Sequence, residues 1–277
     1  MNWLRSVMMG FVSGLCEPMP VSAEAHRSLL GYFFNYSDLE PLFLLACHMA
    51  VLMVVLSAGR LELRRLWRTA RILRRPKHRR TSHPSLNHAG TLRLLRSAAV
   101  LCIVGRLLSY RLTAVTERLW VMALPLIFSG LLLWLPTHIR TANKDGRHLS
   151  NLDGLLLGLA ALTAAVPGVS LVAAVLSMAS MRGTHRQYAV RFAWLLLSLS
   201  LLTASVMDLL LVIRSGDSFA VPQLLSAGLG GAAAAMGSWL AIHIIRTRTR
   251  PGAAGINGFC FYNWGMALLC LALFLLV

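Results

Sequence analysis

Gly14-Leu15-Cys16-Glu17-Pro18-Met19-Pro20-Val21-Ser22-Ala23-Glu24-Ala25-His26 is acidic, hydroxylated and twice interrupted by proline. It nevertheless lies inside a segment, Met1–Asn35, that is otherwise apolar enough for a lipid bilayer. Two carboxylates and an imidazole are costly at that depth, so they are expected to face a cavity or partners and to mark a functional site. Pro18 and Pro20 remove backbone donors and forbid a continuous helix. The amides and carbonyls freed by the break then need a ligand, water or another segment. A broken helix of this kind points to an all-α polytopic membrane protein.

Composition agrees. Of 277 residues, 57% are hydrophobic and only 13% charged, and the mean hydropathy is +0.65. That is too apolar for a soluble domain. Alternating strand patterns are missing, which argues against a transmembrane β-barrel. No small-residue cleavage pattern precedes Glu17, so no removable leader is expected. The formal charge of +17 would suggest nucleic acid in a soluble chain. Here the basic residues sit between apolar runs, where membrane topology explains them and no nucleic-acid partner is expected. Cys16, Cys47, Cys102, Cys260 and Cys270 lie in apolar surroundings without a CxxC pair. They read as small buried hydrophobes, not as a disulfide framework or zinc site.

Six apolar runs approach the length of a span: Leu39–Ser57, Ser97–Leu112, Leu119–Thr137, Ala189–Ile213, Gln223–Ile245 and Gly258–Val277. Two more, residues 1–35 and 153–183, are broken midway and read as re-entrant hairpins. Residues 60–96 hold twelve Lys or Arg and are expected to form a basic cytoplasmic loop, solvated around Arg74–Arg80. Threading the spans from that anchor also puts 138–151, 182–191 and 246–250 inside, and the four regions carry 21 of the 27 basic residues. Both termini then fall outside, and the two hairpins enter from opposite sides. An inverted repeat follows, within one membrane domain covering 1–277. Gly10-x-x-x-Gly14-Leu15 matches Gly154-x-x-x-Gly158-Leu159, and Gly10 to Ser22 spans twelve positions, as does Gly158 to Ser170.

Each motif has a chemistry and a blander account. Glu17 and Glu24 can hold a divalent cation, or Glu17 can serve as a general base. His26 can be nucleophile or general acid/base, and Ser22 can donate to a phosphate. A solvated interfacial turn is the bland alternative. Pro167-Gly168-Val169-Ser170 permits close backbone approach and restarts a helix, whose N-terminus suits an anion. A simple Pro-Gly kink is its alternative. His48 and Asp208 are intramembrane; packing is the expected role of the former, and a nearby cation or amide the expected partner of the latter. Arg182, Arg186 and Arg191 read as interfacial anchors, and the basic run as a surface for anionic lipid.

Together these residues resemble the undecaprenyl-diphosphate phosphatase (bacitracin-resistance) family. Its first motif, E-G-x-x-E-(F/W)-L-P-(I/V)-S-S-T-G-H, is similar to Ser13 through His26, and its second, P-G-x-S-R-S-G, to Pro167 through Ala173. Cys47-His48-Met49-Ala50, Phe128–Leu135, Arg191–Leu196 and Tyr262 match further family segments, so the resemblance covers nearly the whole chain. Ser13 stands for the first Glu, Ala23-Glu24-Ala25 for Ser-Thr-Gly, Leu171 for the Arg of the second motif, and Asn263 for the Arg of a final Tyr-Arg. Losing an Arg removes a bidentate phosphate contact.

The resemblance implies six spans and two re-entrant hairpins in an inverted repeat. It also implies hydrolysis of a polyprenyl diphosphate to the monophosphate, for recycling of the cell-wall lipid carrier. The site would face the extracytoplasmic side of the bacterial inner membrane, with Mg²⁺ or Ca²⁺ as cofactor. In that reading Glu17, His26 and Ser22 are catalytic. Pro167, Gly168, Ser170 and Arg27 bind substrate, with Arg27 as a substitute cation, and Glu17 and Glu24 hold the metal. The alternative is a catalytically weakened paralogue that binds or translocates a polyprenyl phosphate. A second copy of the chain is a candidate partner besides the bilayer and the lipid.

Overall fold

The computed structural model describes residues 3–35, 39–76, 78, 82–112, 119–138, 143–216, 219–250, 252 and 255–276. Eleven α-helices are described: α1 (Trp3–Cys16), α2 (Ala23–Phe33), α3 (Pro41–Ala58), α4 (Arg60–Arg74), α5 (Leu86–Leu112), α6 (Leu119–Trp134), α7 (Asn151–Leu162), α8 (Leu171–Met181), α9 (Arg186–Ser215), α10 (Val221–Arg248) and α11 (Phe259–Leu276). Among the described residues the β contribution is an isolated bridge between Lys144 and Thr184.

Five helices are long and apolar enough to cross a membrane: α3, α6 with its 3₁₀ extension to His138, α9, α10 and α11. The expected second span is the later part of α5. At 27 residues α5 is long enough, but Arg93, Arg96, Arg106 and Arg111 interrupt its apolar character. The outer faces of the helices expose Leu, Ile and Trp in numbers that suit lipid, among them Leu202, Leu209, Leu210, Trp239 and Leu268. The chain is a multi-pass membrane protein.

Most of the basic stretch 60–96 is helical. Arg60–Arg74 is α4, which buries Leu66 and Thr69, and 86–96 opens α5. The short connector between them includes Lys77, Arg79, Arg80 and Thr81, which lie outside the described residues.

Both broken segments form helix–break–helix hairpins, α1–α2 and α7–α8. The second half of each starts on a serine cap. Ser22 Oγ accepts from the Ala25 amide at 3.1 Å, and Ser170 Oγ accepts from the Ala173 amide at 3.2 Å. At its other end α7 begins on a capping box of Ser150 and Asp153, and Arg182, which ends α8, pairs with that same Asp153.

The small residues recognised in sequence are the packing faces of the hairpins. A Cβ on Gly10 or Gly14 would collide with the Gly230 or Ala234 carbonyl of α10, and one on Gly154 with Ser97 of α5. Gly158 approaches Ala98 in the same way. Small-x-x-x-small faces let helix backbones meet closely in a bilayer, where dispersion replaces the hydrophobic drive. The helix partnerships repeat: α1 lies on α10 as α7 lies on α5, and α3 lies on α10 as α9 lies on α5. The α3–α9 and α6–α11 contacts relate the halves to each other. Helix α9 is the central element and buries one face from Tyr188 to Asp208.

Candidate active site

The first break satisfies its backbone by reaching into three other elements. The Pro18 carbonyl accepts from Trp194 Nε1 of α9 at 3.0 Å. The Met19 carbonyl accepts from Ser170 Oγ at 3.5 Å, and the Pro20 carbonyl from Asn263 Nδ2 of α11 at 3.1 Å. Buried carbonyls require such partners, and these hold the break in one shape.

The second break is docked onto the first. Gly168 donates its amide to Glu24 Oε2 at 3.3 Å, and the Ser170 amide donates to Ser129 Oγ of α6 at 3.2 Å. Gly168 has φ +94°, and a Cβ there would stand 3.0 Å from Pro125 Cβ, so the position suits glycine in both conformation and space. The Val169 amide returns to the Val166 carbonyl at 3.0 Å. All three amides from Gly168 to Ser170 are therefore engaged, and Glu24 places a carboxylate on the first of them. Pro167 is buried beside them.

His26 lies one helical turn after the Ser22 cap. Its Nδ1 donates to the Ser22 carbonyl at 2.6 Å. That acceptor fixes the tautomer, so in the neutral ring Nε2 accepts from Tyr262 Oη at 2.6 Å. The two rings also stack, 5.6 Å apart and 3° from parallel. Ser22 is 2% exposed, and with its oxygen accepting from Ala25 its hydroxyl proton can be offered to a ligand.

Glu17 ends α1, and Arg27 Nη1 donates to its Oε1 at 3.4 Å. Behind it is a buried network absent from the sequence reading as a unit. His48 Nδ1 donates to Asp208 Oδ2 at 2.6 Å, and Tyr110 donates to Asp208 Oδ1 at 2.6 Å. Arg106 Nη2 donates to His48 Nε2 at 3.2 Å. The carboxylate accepts at Nδ1 and the guanidinium donates at Nε2, which selects the Nδ1–H tautomer. That same Nε2 stands 4.0 Å from Glu17 Oε1.

Glu17 and Glu24, the expected metal ligands, each have one carboxylate oxygen engaged within the protein. Glu17 Oε1 is held by Arg27, Glu24 Oε2 takes the Gly168 amide, and no group of three or more His, Cys, Asp or Glu is poised for a metal among the described residues. The cation that reaches Glu17 is Arg27. The position of the family's first Glu holds Ser13, buried with an unpartnered Oγ. The second-motif position holds Leu171, which packs on the apolar core.

Sequence reasoning placed Glu17, Ser22, Glu24, His26 and Arg27 on one side of the site and Pro167, Gly168 and Ser170 on the other, and the structure brings the two sets together. It missed Tyr262 as the partner of His26, Asn263 as the prop of Pro20, and the His48–Asp208 pair. The signal for that last pair was present: two intramembrane ionisable residues on different helices are expected to find each other.

A family model described as "Bacitracin resistance protein BacA" matches residues 6–269. The chain is 27% identical to an undecaprenyl-diphosphatase of Carboxydothermus hydrogenoformans over 277 residues, covering 99% of this chain and 98% of that protein. An undecaprenyl-diphosphatase of Gemmatimonas aurantiaca is 29% identical over 246 residues, 87% of each chain. One of Rubrobacter xylanophilus is 27% identical over 276 residues, 99% of this chain and 98% of its own.

Proposed function

From the premise that this chain belongs to the bacitracin resistance protein BacA family, we propose that it hydrolyses a polyprenyl diphosphate to the monophosphate. The hydrogen bond from Gly168 to Glu24, with that from Ser170 to Met19, carries the reading. It makes two helix breaks, far apart in sequence, into one polar site inside an apolar bundle. Relatives of near-equal length named undecaprenyl-diphosphatase supply the substrate class.

In this reading Glu17 is the general base. It takes a proton from the attacking water, whose oxygen bonds to the terminal phosphorus as the bridging P–O bond breaks toward the monophosphate. Arg27 pairs with Glu17 and supplies positive charge to the phosphate. Ser22 donates its hydroxyl to a phosphate oxygen. The incoming phosphate displaces Glu24 from the Gly168 amide, which then helps hold the developing charge. His26 acts in its imidazolium form: with Nδ1 still on the Ser22 carbonyl, its Nε2 leaves Tyr262 and gives its proton to the bridging oxygen as the P–O bond breaks. The basic end faces the cytoplasm by the positive-inside rule, so the site opens toward the outer half of the inner membrane.

Phosphate release from undecaprenyl diphosphate by the purified protein tests this, with Glu17→Ala and His26→Ala alongside and with Mg²⁺, Ca²⁺ or EDTA present. Release in the parent that falls by about 10²-fold or more in each variant is expected. Because Arg27 occupies the carboxylate, release is expected to persist in EDTA; abolition by EDTA would put a divalent ion on Glu17 instead. A second reading, a lipid binder or carrier, is favoured by the full engagement of His26 and of the Gly168–Ser170 amides. Lipid binding with no release by the parent would establish it over the first.

A further inference from the structure

Arg106 is a cation at apolar depth with no carboxylate of its own. Helix α5 turns Ile103, Val104, Leu107 and Leu108 outward and buries Cys102, Gly105 and Ser109, and the guanidinium of Arg106 reaches inward to His48. Among the described residues no ion pair within 4.0 Å includes it. Asp208, at the far side of His48, already accepts from both His48 and Tyr110. The partners of the Arg106 side chain are an imidazole nitrogen and the face of Tyr110, 5.6 Å from the ring centroid. Its Nε is buried with no partner. A guanidinium carries five donors in a planar fork, and a buried N–H without an acceptor costs free energy until one arrives. The His48 nitrogen that binds Arg106 is 4.0 Å from Glu17, so Arg106 is joined through His48 to the site described above.

We propose that Arg106 is a second phosphate-binding cation of this site, besides Arg27, taking an oxygen of an anionic head group on its free Nε–H. This deepens the polyprenyl diphosphate reading and rests on it for the ligand class. Phosphate oxygens suit the fork of a guanidinium, and charge-assisted bonds of this type are the stronger ones. Neither nearby carboxylate, Asp208 nor Glu17, bonds Arg106 directly, and a head-group oxygen would satisfy the orphaned donor.

The test is binding to the full-length detergent-solubilised protein, with farnesyl diphosphate, farnesol and inorganic diphosphate as probes. Arg106→Gln keeps an N–H for His48 but removes the charge; Arg106→Lys keeps the charge. Arg106→Gln is expected to weaken farnesyl diphosphate about tenfold and farnesol less than about twofold, with Arg106→Lys closer to the parent. Equal weakening of diphosphate and alcohol would show a merely structural role and overturn the proposal, as would unchanged diphosphate affinity in Arg106→Gln. Inorganic diphosphate bound with the same Arg106 dependence would identify free phosphate as a ligand; binding confined to farnesyl diphosphate would identify the lipid head group. A parent that binds farnesyl diphosphate but releases no phosphate ends the hydrolysis reading while leaving the Arg106 assignment to stand or fall on these affinities. A parent that binds no diphosphate ends both.

Discussion

Glu17 occupies the C-terminal end of α1, where the helix macrodipole disfavours a carboxylate, whereas Glu24 is in the first turn of α2, where it is favoured. Arg27 offsets the first, and the Gly168 amide is an added partner of the second. The two acids therefore differ in setting: in the proposed reaction Glu17 is the base, and Glu24 stands where a phosphate oxygen would bind. Replacing Glu24 with Gln removes that competing charge, so Glu24→Gln is expected to bind farnesyl diphosphate several-fold more tightly. Weaker binding would show that Glu24 assists the ligand. Asp208 is 0% exposed and accepts two short bonds. Deleting it leaves two buried donors without an acceptor, at about 1–3 kcal/mol each, and Asp208→Ala is expected to lose stability on that scale. In a double-mutant cycle with His48→Ala measured by unfolding in detergent, a coupling under about 0.5 kcal/mol would contradict the pairing.

At the scale of elements, the hairpins depend on close backbone approach and on caps. Gly14→Ala puts a methyl against the Ala234 carbonyl and is expected to destabilise by about 1–3 kcal/mol. Gly228→Ala on α10, where a Cβ meets nothing within 4 Å, is the control and is expected to be near neutral or stabilising. Thermal midpoints in detergent read both. At the basic end, His185 caps α9 by accepting from the Tyr188 amide at 3.1 Å. Burial lowers its pKa below the ordinary 6.5, and Arg191 adds to this while Asp145 opposes it. The folded state thus favours neutral His185, so its contribution to stability is intact above about pH 6.5 and is lost as pH falls below it. His185→Asn supplies a capping oxygen in place of Nδ1 without titrating, and it is expected to flatten the acid limb of a stability–pH curve relative to the parent.

At the scale of the molecule, the connections placed together by their basic charge do meet at one end of the bundle. Arg246 donates to the Ala58 carbonyl at 2.6 Å. The Gly146 amide donates to Asn87 at 3.0 Å, Arg93 reaches the Leu149 carbonyl, and Lys144 bonds Gly183 and His185. On the proposed topology Glu17, His48 and Asp208 lie toward the other end. With the five native cysteines all buried, His78→Cys is expected to resist a membrane-impermeant maleimide in intact cells, and Ser215→Cys to react. The reverse pattern would invert the assignment of sides.

Hydropathy, the prolines and the Gly-x-x-x-Gly faces made the membrane class, the two breaks and their pairing as repeats legible in sequence, because each is a local property of chain composition and backbone freedom. The stretch 60–96 was harder. A dense basic charge looks the same in a solvated loop and in α4, whose burial of Leu66 and Thr69 against the bundle is a tertiary event. The site divides along the same line. Glu17, Ser22 and His26 announced themselves by being polar where apolar residues belong. Tyr262 on His26, Asn263 on Pro20, and Arg106 with Asp208 on His48 depend on which helices become neighbours. That is settled by small-residue packing and by the need of buried polar groups for partners across the whole molecule, and no single segment of the chain contains it.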